Sequence, residues 1–102
     1  MIGFTPKAAQ QLKALWRHYI DLERLDAVRK LSDAIDAAIA AIERDPIAGL
    51  AAPRPYPALA KPGRAWVKAG RYWILYSTTR PPIIMGVFFE TANIPKRQPW
   101  YA

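Results

Sequence analysis

Apolar residues near the start of the chain recur with helical spacing. Leu12, Leu15, Trp16, Tyr19 and Ile20 fall at i, i+3, i+4, i+7 and i+8, with Gln10, Gln11, Lys13, Arg17 and His18 between them. This pattern predicts an amphipathic helix over about residues 6–23. Thr5-Pro6 supplies its start: the hydroxyl can cap free amides, and proline gives up an amide that would be unpaired anyway. A second stripe, Leu25, Val28, Leu31, Ile35, Ile39 and Ile42, stays on one face at about 100° per residue, with Asp26 as its expected cap. Ala34, Ala37, Ala38, Ala40 and Ala41 favour this helix and allow close approach to a neighbour, and Pro46 and Gly49 end it. The short Leu22–Leu25 link makes the two helices an antiparallel hairpin.

Residues 46–63 hold Pro46, Pro53, Pro55, Pro57 and Pro62 and predict an extended, partly polyproline-like connector. Beyond it the period changes to two. Arg64–Lys68 and Arg71–Ser77 read as strands joined by a tight turn at Ala69-Gly70. In the second of these, Tyr72, Ile74 and Tyr76 point one way while Trp73 and Leu75 point the other, as in a central strand. Ile83–Phe89 is a further strand with two apolar faces, after a turn at Thr78–Pro82, and Ile2–Phe4 is placed as a short edge strand. The expected fold is α+β: an N-terminal helical hairpin packed on one face of a small, mainly antiparallel sheet, in the order β-α-α-β-β-β, with residues 1–102 forming one domain.

Charge changes the picture. The chain of 102 residues carries 15 Lys plus Arg against 8 Asp plus Glu, a formal net charge of +7. Residues 1–45 hold seven basic and seven acidic residues. Residues 46–102 hold Arg54, Lys61, Arg64, Lys68, Arg71, Arg80, Lys96 and Arg97 against Glu90 alone, so the excess belongs to the connector, sheet and tail. A basic face of this kind suits a polyanion or an acidic protein segment. With no Cys and the single His18, neither a thiol nucleophile nor a His-rich or Cys-ligated metal site can be assembled, and no metal or cofactor is expected. No apolar run has the length of a membrane span. The opening Met1-Ile2-Gly3-Phe4 lacks the basic head and apolar stretch of a signal peptide, so the expected compartment is the cytoplasm, without membrane contact.

Four ordered segments carry a likeness. They are Phe4-Thr5-Pro6-Lys7-Ala8-Ala9-Gln10-Gln11-Leu12; Ala27–Ile42 followed by Pro46-Ile47-Ala48-Gly49; Tyr72-Trp73-Ile74-Leu75-Tyr76; and Ile84-Met85-Gly86-Val87-Phe88-Phe89-Glu90. Across about residues 2–97 the chain resembles the RelE/ParE superfamily of type II toxin–antitoxin toxins. The resemblance implies a small toxin held inactive in a hetero-oligomer with a cognate antitoxin. It also implies one of two targets: ribosome-bound mRNA, which RelE-like members cleave, or DNA gyrase, which ParE-like members inhibit.

An RNA-cleaving site without metal needs cations on the scissile phosphate and a group that activates the 2′-hydroxyl. The candidates are Lys68, Arg71, Arg97 and Tyr101, with Arg80 and Lys96 nearby. Phe89-Glu90 departs from the His or basic residue of many mRNA-cleaving relatives, and Asn93-Ile94-Pro95-Lys96-Arg97 is closer to ParE-like tails. Glu90 reads as a carboxylate offsetting nearby Lys and Arg rather than a general base, and His18 as a solvated surface residue. Trp66, Tyr72, Trp73 and Tyr76 read as core, although aromatic rings on a sheet can also stack bases. Arg64, Lys68 and Arg71 flank one hairpin and are expected to form a compact cationic patch. With Arg80, Lys96, Arg97 and Trp100 they are the expected antitoxin- or target-binding set. The leading reading is a ParE-like toxin directed at gyrase. The alternatives are an mRNA endonuclease and a basic nucleic-acid-binding module without toxicity.

Overall fold

The computed structural model describes residues 2–79, 81–91 and 94. Its elements run β1 (Gly3–Phe4), α1 (Pro6–Asp21), α2 (Leu25–Arg44), β2 (Arg64–Ala69), β3 (Tyr72–Ser77) and β4 (Ile83–Phe89), in the expected order. The four strands form a sheet ordered β1-β4-β3-β2. The β2–β3 and β3–β4 pairs are antiparallel, whereas β1 runs parallel to β4.

The helix ends follow local chemistry, with one correction. Thr5 caps α1, its Oγ1 accepting from the Ala8 amide at 3.2 Å, and Pro6 takes the first helical position. Asp26 does not cap α2: the helix begins at Leu25 with Arg24 at the N-cap, and Asp26 lies in the first turn. The cause is the compactness of the link. The Arg24 amide reaches back to the Tyr19 carbonyl at 2.8 Å and the Glu23 amide to Ile20 at 2.9 Å. These two bonds close a Schellman motif that puts Glu23 in the left-handed region at φ 56°. One residue of left-handed backbone turns the chain, and α2 starts at once.

The helices cover one face of the sheet. Ala8 of α1, Leu31, Ala34, Ile35, Ala38 and Ile42 of α2, and Ala65, Ala69, Tyr72, Ile74, Tyr76, Ile84 and Val87 of the sheet are buried together. The alanines do what the sequence suggests, keeping α2 close to β2. The α1 stripe is narrower than its periodicity implies: Leu12, Leu15 and Tyr19 pack inward, while Trp16 and Ile20 are exposed. On β4 the alternation of faces is broken by a bulge. Leu75 pairs with Gly86 but Tyr76 pairs with Ile84, so Met85 is the extra residue. Ile84 and Val87 can therefore both face the helices. The short β1 pairs only with Ile83 and Ile84, and beyond it on that edge of β4 Gln11 of α1 fills in, its Oε1 accepting from the Val87 amide at 2.9 Å.

The opposite face is also a core. Trp66, Trp73, Leu75, Phe88 and Ile94 are buried there, with Tyr56, Leu59 and Met85 packed on them. Its cover is the proline-rich connector, which is not extended as expected. Leu50 pairs with Trp66, Pro53 is fully buried, and Pro57–Leu59 winds into a 3-10 turn. Tyr76 anchors the start of the connector by donating its hydroxyl to the Pro46 carbonyl at 2.8 Å. Gly49 is required beside it, because a Cβ there would run into the Tyr76 hydroxyl, the Ala65 methyl and the Trp66 carbonyl. Trp66, Tyr72, Trp73 and Tyr76 are thus all buried, as read from the two-faced strand pattern. Among the described residues no helix is long and apolar enough to cross a membrane.

Candidate functional site

The β2–β3 hairpin closes on the Ala69–Tyr72 pair through the two-residue loop Gly70-Arg71, one residue later than the sequence suggested. Gly70 has φ 55°, which suits the first loop position of a type II′ turn. The turn sits on α2, with the Gly70 Cβ position 3.4 Å from the Ala34 methyl. Arg71 is thereby held at the corner of the sheet, beside the exit of β4.

Glu90 organises this corner. Its amide donates to the Arg71 carbonyl at 2.9 Å, its Oε2 accepts from Arg71 Nε at 2.7 Å, and its Oε1 lies 3.2 Å from Lys68 Nζ. The two cations then go to different faces. Lys68 stacks over Trp73 at 5.4 Å on the connector-covered face, where Arg54 approaches the same ring at 5.7 Å. Arg71 lies over Phe89 at 4.9 Å on the helix-covered face. The hydrogen bonds from Arg71 and Lys68 hold the Glu90 carboxyl below its ordinary value, so it stays ionised and is a weak proton acceptor.

Arg71 also belongs to a cleft of about 150 Å³ between the tip of the helical hairpin and the sheet, lined by Tyr19, Arg24, Ala27, Lys30, Arg71, Tyr72 and Phe89. The Schellman motif sets Arg24 beside Tyr19, and the Tyr19 and Tyr72 hydroxyls are hydrogen-bonded at 2.7 Å. Burial and the Tyr19 bond push the Tyr72 hydroxyl well above the usual phenol range, so it remains protonated.

Of the sequence-predicted site residues, Lys68 and Arg71 are brought together by Glu90. Arg64 is not: it pairs with Ser77 at the other end of β2, so the three cations do not form one compact patch. The expectation failed because flanking a hairpin in sequence spans the whole length of a strand. Arg80, Lys96, Arg97, Trp100 and Tyr101 lie outside the described residues. His18 is exposed, as expected, with its ring 5.7 Å from that of Tyr19. Sequence reasoning missed Arg54, Tyr19, Arg24 and Lys30. A signal existed for Tyr19 and Arg24, since Tyr19 lies near the end of the first apolar stripe, close to the link where Arg24 sits, but their meeting with Lys30 and Arg71 depends on tertiary docking.

The sequence matches the family model described as ParE toxin of type II toxin-antitoxin system, parDE, over residues 2–88. No curated protein matches it. Among solved structures it is similar to a chain of the chromosomal ParDE toxin–antitoxin system from P. aeruginosa, at 19% identity and a TM-score of 0.63, covering 87% of this chain and 96% of that one. At that identity the likeness speaks for the fold, which agrees with the helical hairpin and mixed sheet described above. With the family model spanning most of the chain, the protein belongs to the ParE toxin family of type II toxin–antitoxin systems.

Proposed function

We propose that this chain is a growth inhibitor that acts on DNA gyrase and is neutralised by a cognate antitoxin bound to it. The family match supports a toxin with an antitoxin partner. The observation that carries gyrase over RNA cleavage is the Glu90 bridge. Lys68 and Arg71, the two described candidates for a nuclease site, are tied to one carboxylate and directed to opposite faces of the sheet. Cations that stabilise a scissile phosphate must converge on one point, which Lys68 over Trp73 and Arg71 over Phe89 do not.

The basic connector and sheet suit an acidic antitoxin segment, which gains from charge complementarity as it orders on the surface. Lys68 and Arg71 are the described residues best placed for this, with Arg64 at the far end of β2. Arg80, Lys96, Arg97 and Trp100 complete the proposed set. The test is induced expression without antitoxin, followed by growth, the SOS response and primer extension on mRNA. Growth arrest with an SOS response and intact mRNA is expected. New in-frame mRNA cleavages would replace gyrase with the ribosome as target, and normal growth would remove the toxin reading altogether.

A further inference from the structure

The cleft at the tip of the helical hairpin has the composition of an oxyanion receptor. Three cations from three elements reach it: Arg24 from the α1–α2 link, Lys30 from α2 and Arg71 from the β2–β3 turn. No carboxylate is among the described residues that line it. Two acids act from outside it, Asp26 on Arg24 at 3.5 Å and Glu90 on Arg71 through Nε. Neither contact consumes its guanidinium. The Asp26 pair is long and exposed, and the Glu90 bond uses Nε and not the two terminal nitrogens of the Arg71 fork. Lys30 adds an ammonium that Asp26 influences through space, without a hydrogen bond or close ion pair between them.

The tyrosine pair adds a directed neutral donor. Two phenols joined by one hydrogen bond hold two protons, of which their mutual bond uses one. The second O–H can donate to a further acceptor, and both rings line the cleft. Phe89 and Ala27 form an apolar floor, which lowers the local dielectric and strengthens charge-assisted bonds to a bound anion. Side-chain donors from several directions suit a group with several acceptor oxygens better than a planar carboxylate with two. Three cations with two carboxylates outside the cleft leave it net positive, which favours an anion over a neutral ligand. The volume of about 150 Å³ accommodates a phosphate with part of its substituent.

We propose that this cleft binds the phosphate group of a phosphomonoester, held by Arg24, Lys30, Arg71 and the Tyr19–Tyr72 hydroxyl pair. The site lies on the helix-covered side of the sheet, away from the Lys68–Trp73 stack, and does not depend on which target the toxin acts upon.

The test is a titration of the isotope-labelled chain, followed by amide chemical shifts, with inorganic phosphate, adenosine 5′-monophosphate and acetate at constant ionic strength. Saturable shifts centred on Arg24, Ala27, Lys30 and Tyr72 are expected with the two phosphates and not with acetate. Tighter binding of the nucleotide would identify a nucleotide as the source, and equal binding would identify free phosphate; either outcome supports the site. Lys30→Gln, an exposed change that leaves the core intact, is expected to weaken phosphate binding by about tenfold or more. Tyr19→Phe should weaken it by a smaller factor while the spectrum remains that of the folded chain. Absence of saturable shifts, equal response to acetate, or unchanged affinity in Lys30→Gln would overturn the proposal.

Discussion

The two faces of the sheet are both dry, but they are built by different means. On one face, helices that satisfy their own backbone lay alanine and branched aliphatic residues against Ile74, Tyr76 and Val87. On the other, irregular chain rich in proline covers Trp66, Trp73 and Phe88, and it is held by particular contacts: the Leu50–Trp66 bridge, the Tyr76–Pro46 hydrogen bond and the space left by Gly49. A helix can bury a stripe through periodicity alone. A connector interrupted by prolines cannot form a continuous ladder, so large rings and single anchor points must supply what a regular run of hydrogen bonds would.

The largest test of this contrast is a matched pair of truncations. Leu31→Ala on the helix-covered face and Trp66→Ala on the connector-covered face, both at residues fully buried here, are expected to cost about 2–5 and about 3–5 kcal/mol respectively in denaturant unfolding. If Trp66→Ala costs much less than Leu31→Ala, the connector is a loose flap and not a second core wall.

Next in size is Gly49→Ala. The added methyl meets the Tyr76 hydroxyl and two groups of β2, so a loss of about 1–3 kcal/mol is expected, with faster amide exchange at Leu50 and Trp66. A neutral result would mean that the connector shifts freely at its anchor.

Glu23→Gly should act in the opposite direction. Glycine removes a left-handed penalty of about 1–2 kcal/mol at φ 56° but gives the unfolded chain about 0.4–1 kcal/mol more entropy, so a net gain of up to about 1 kcal/mol is expected, read as a higher midpoint in urea. Loss of stability would show that the Glu23 side chain contributes more than its backbone costs.

The smallest effect is expected at Glu90, where cations from the two faces meet. Its carboxyl is held below the ordinary value of 4.5, so its contribution to stability is present above that value and is lost as pH falls through the lowered one. Glu90→Gln should therefore melt slightly below the native chain at pH 7, with the gap closing as the solution is acidified through the lowered value. A gap independent of pH would assign the effect to packing and not to charge.

This contrast also explains what could be read in advance. The α1 and α2 stripes, the β3 alternation and the Thr5-Pro6 start are local patterns, and they locate the helical hairpin, the sheet and the four buried rings. The bulge at Met85, the start of α2 without an Asp26 cap and the folding of Pro53 onto Trp66 are each decided by tertiary fit, which leaves no periodic trace. The same limit applies to the functional corner. Glu90 was legible as a counter-charge because it is the one acid among the basic residues of the second half, and its pairing with Lys68 and Arg71 bears that out. The separation of Arg64 from that pair, and the meeting of Tyr19, Arg24 and Lys30 with Arg71, required the packed molecule.

The central functional claim is that this ParE-family chain acts on gyrase and does not cleave RNA. Supercoiling of relaxed plasmid by purified DNA gyrase, in the presence of the purified chain, tests it most directly. Inhibition that rises with toxin concentration and is reversed by the cognate antitoxin is expected. Unimpaired supercoiling at a molar excess of the chain, together with cleavage of ribosome-bound mRNA by the same preparation, would contradict it.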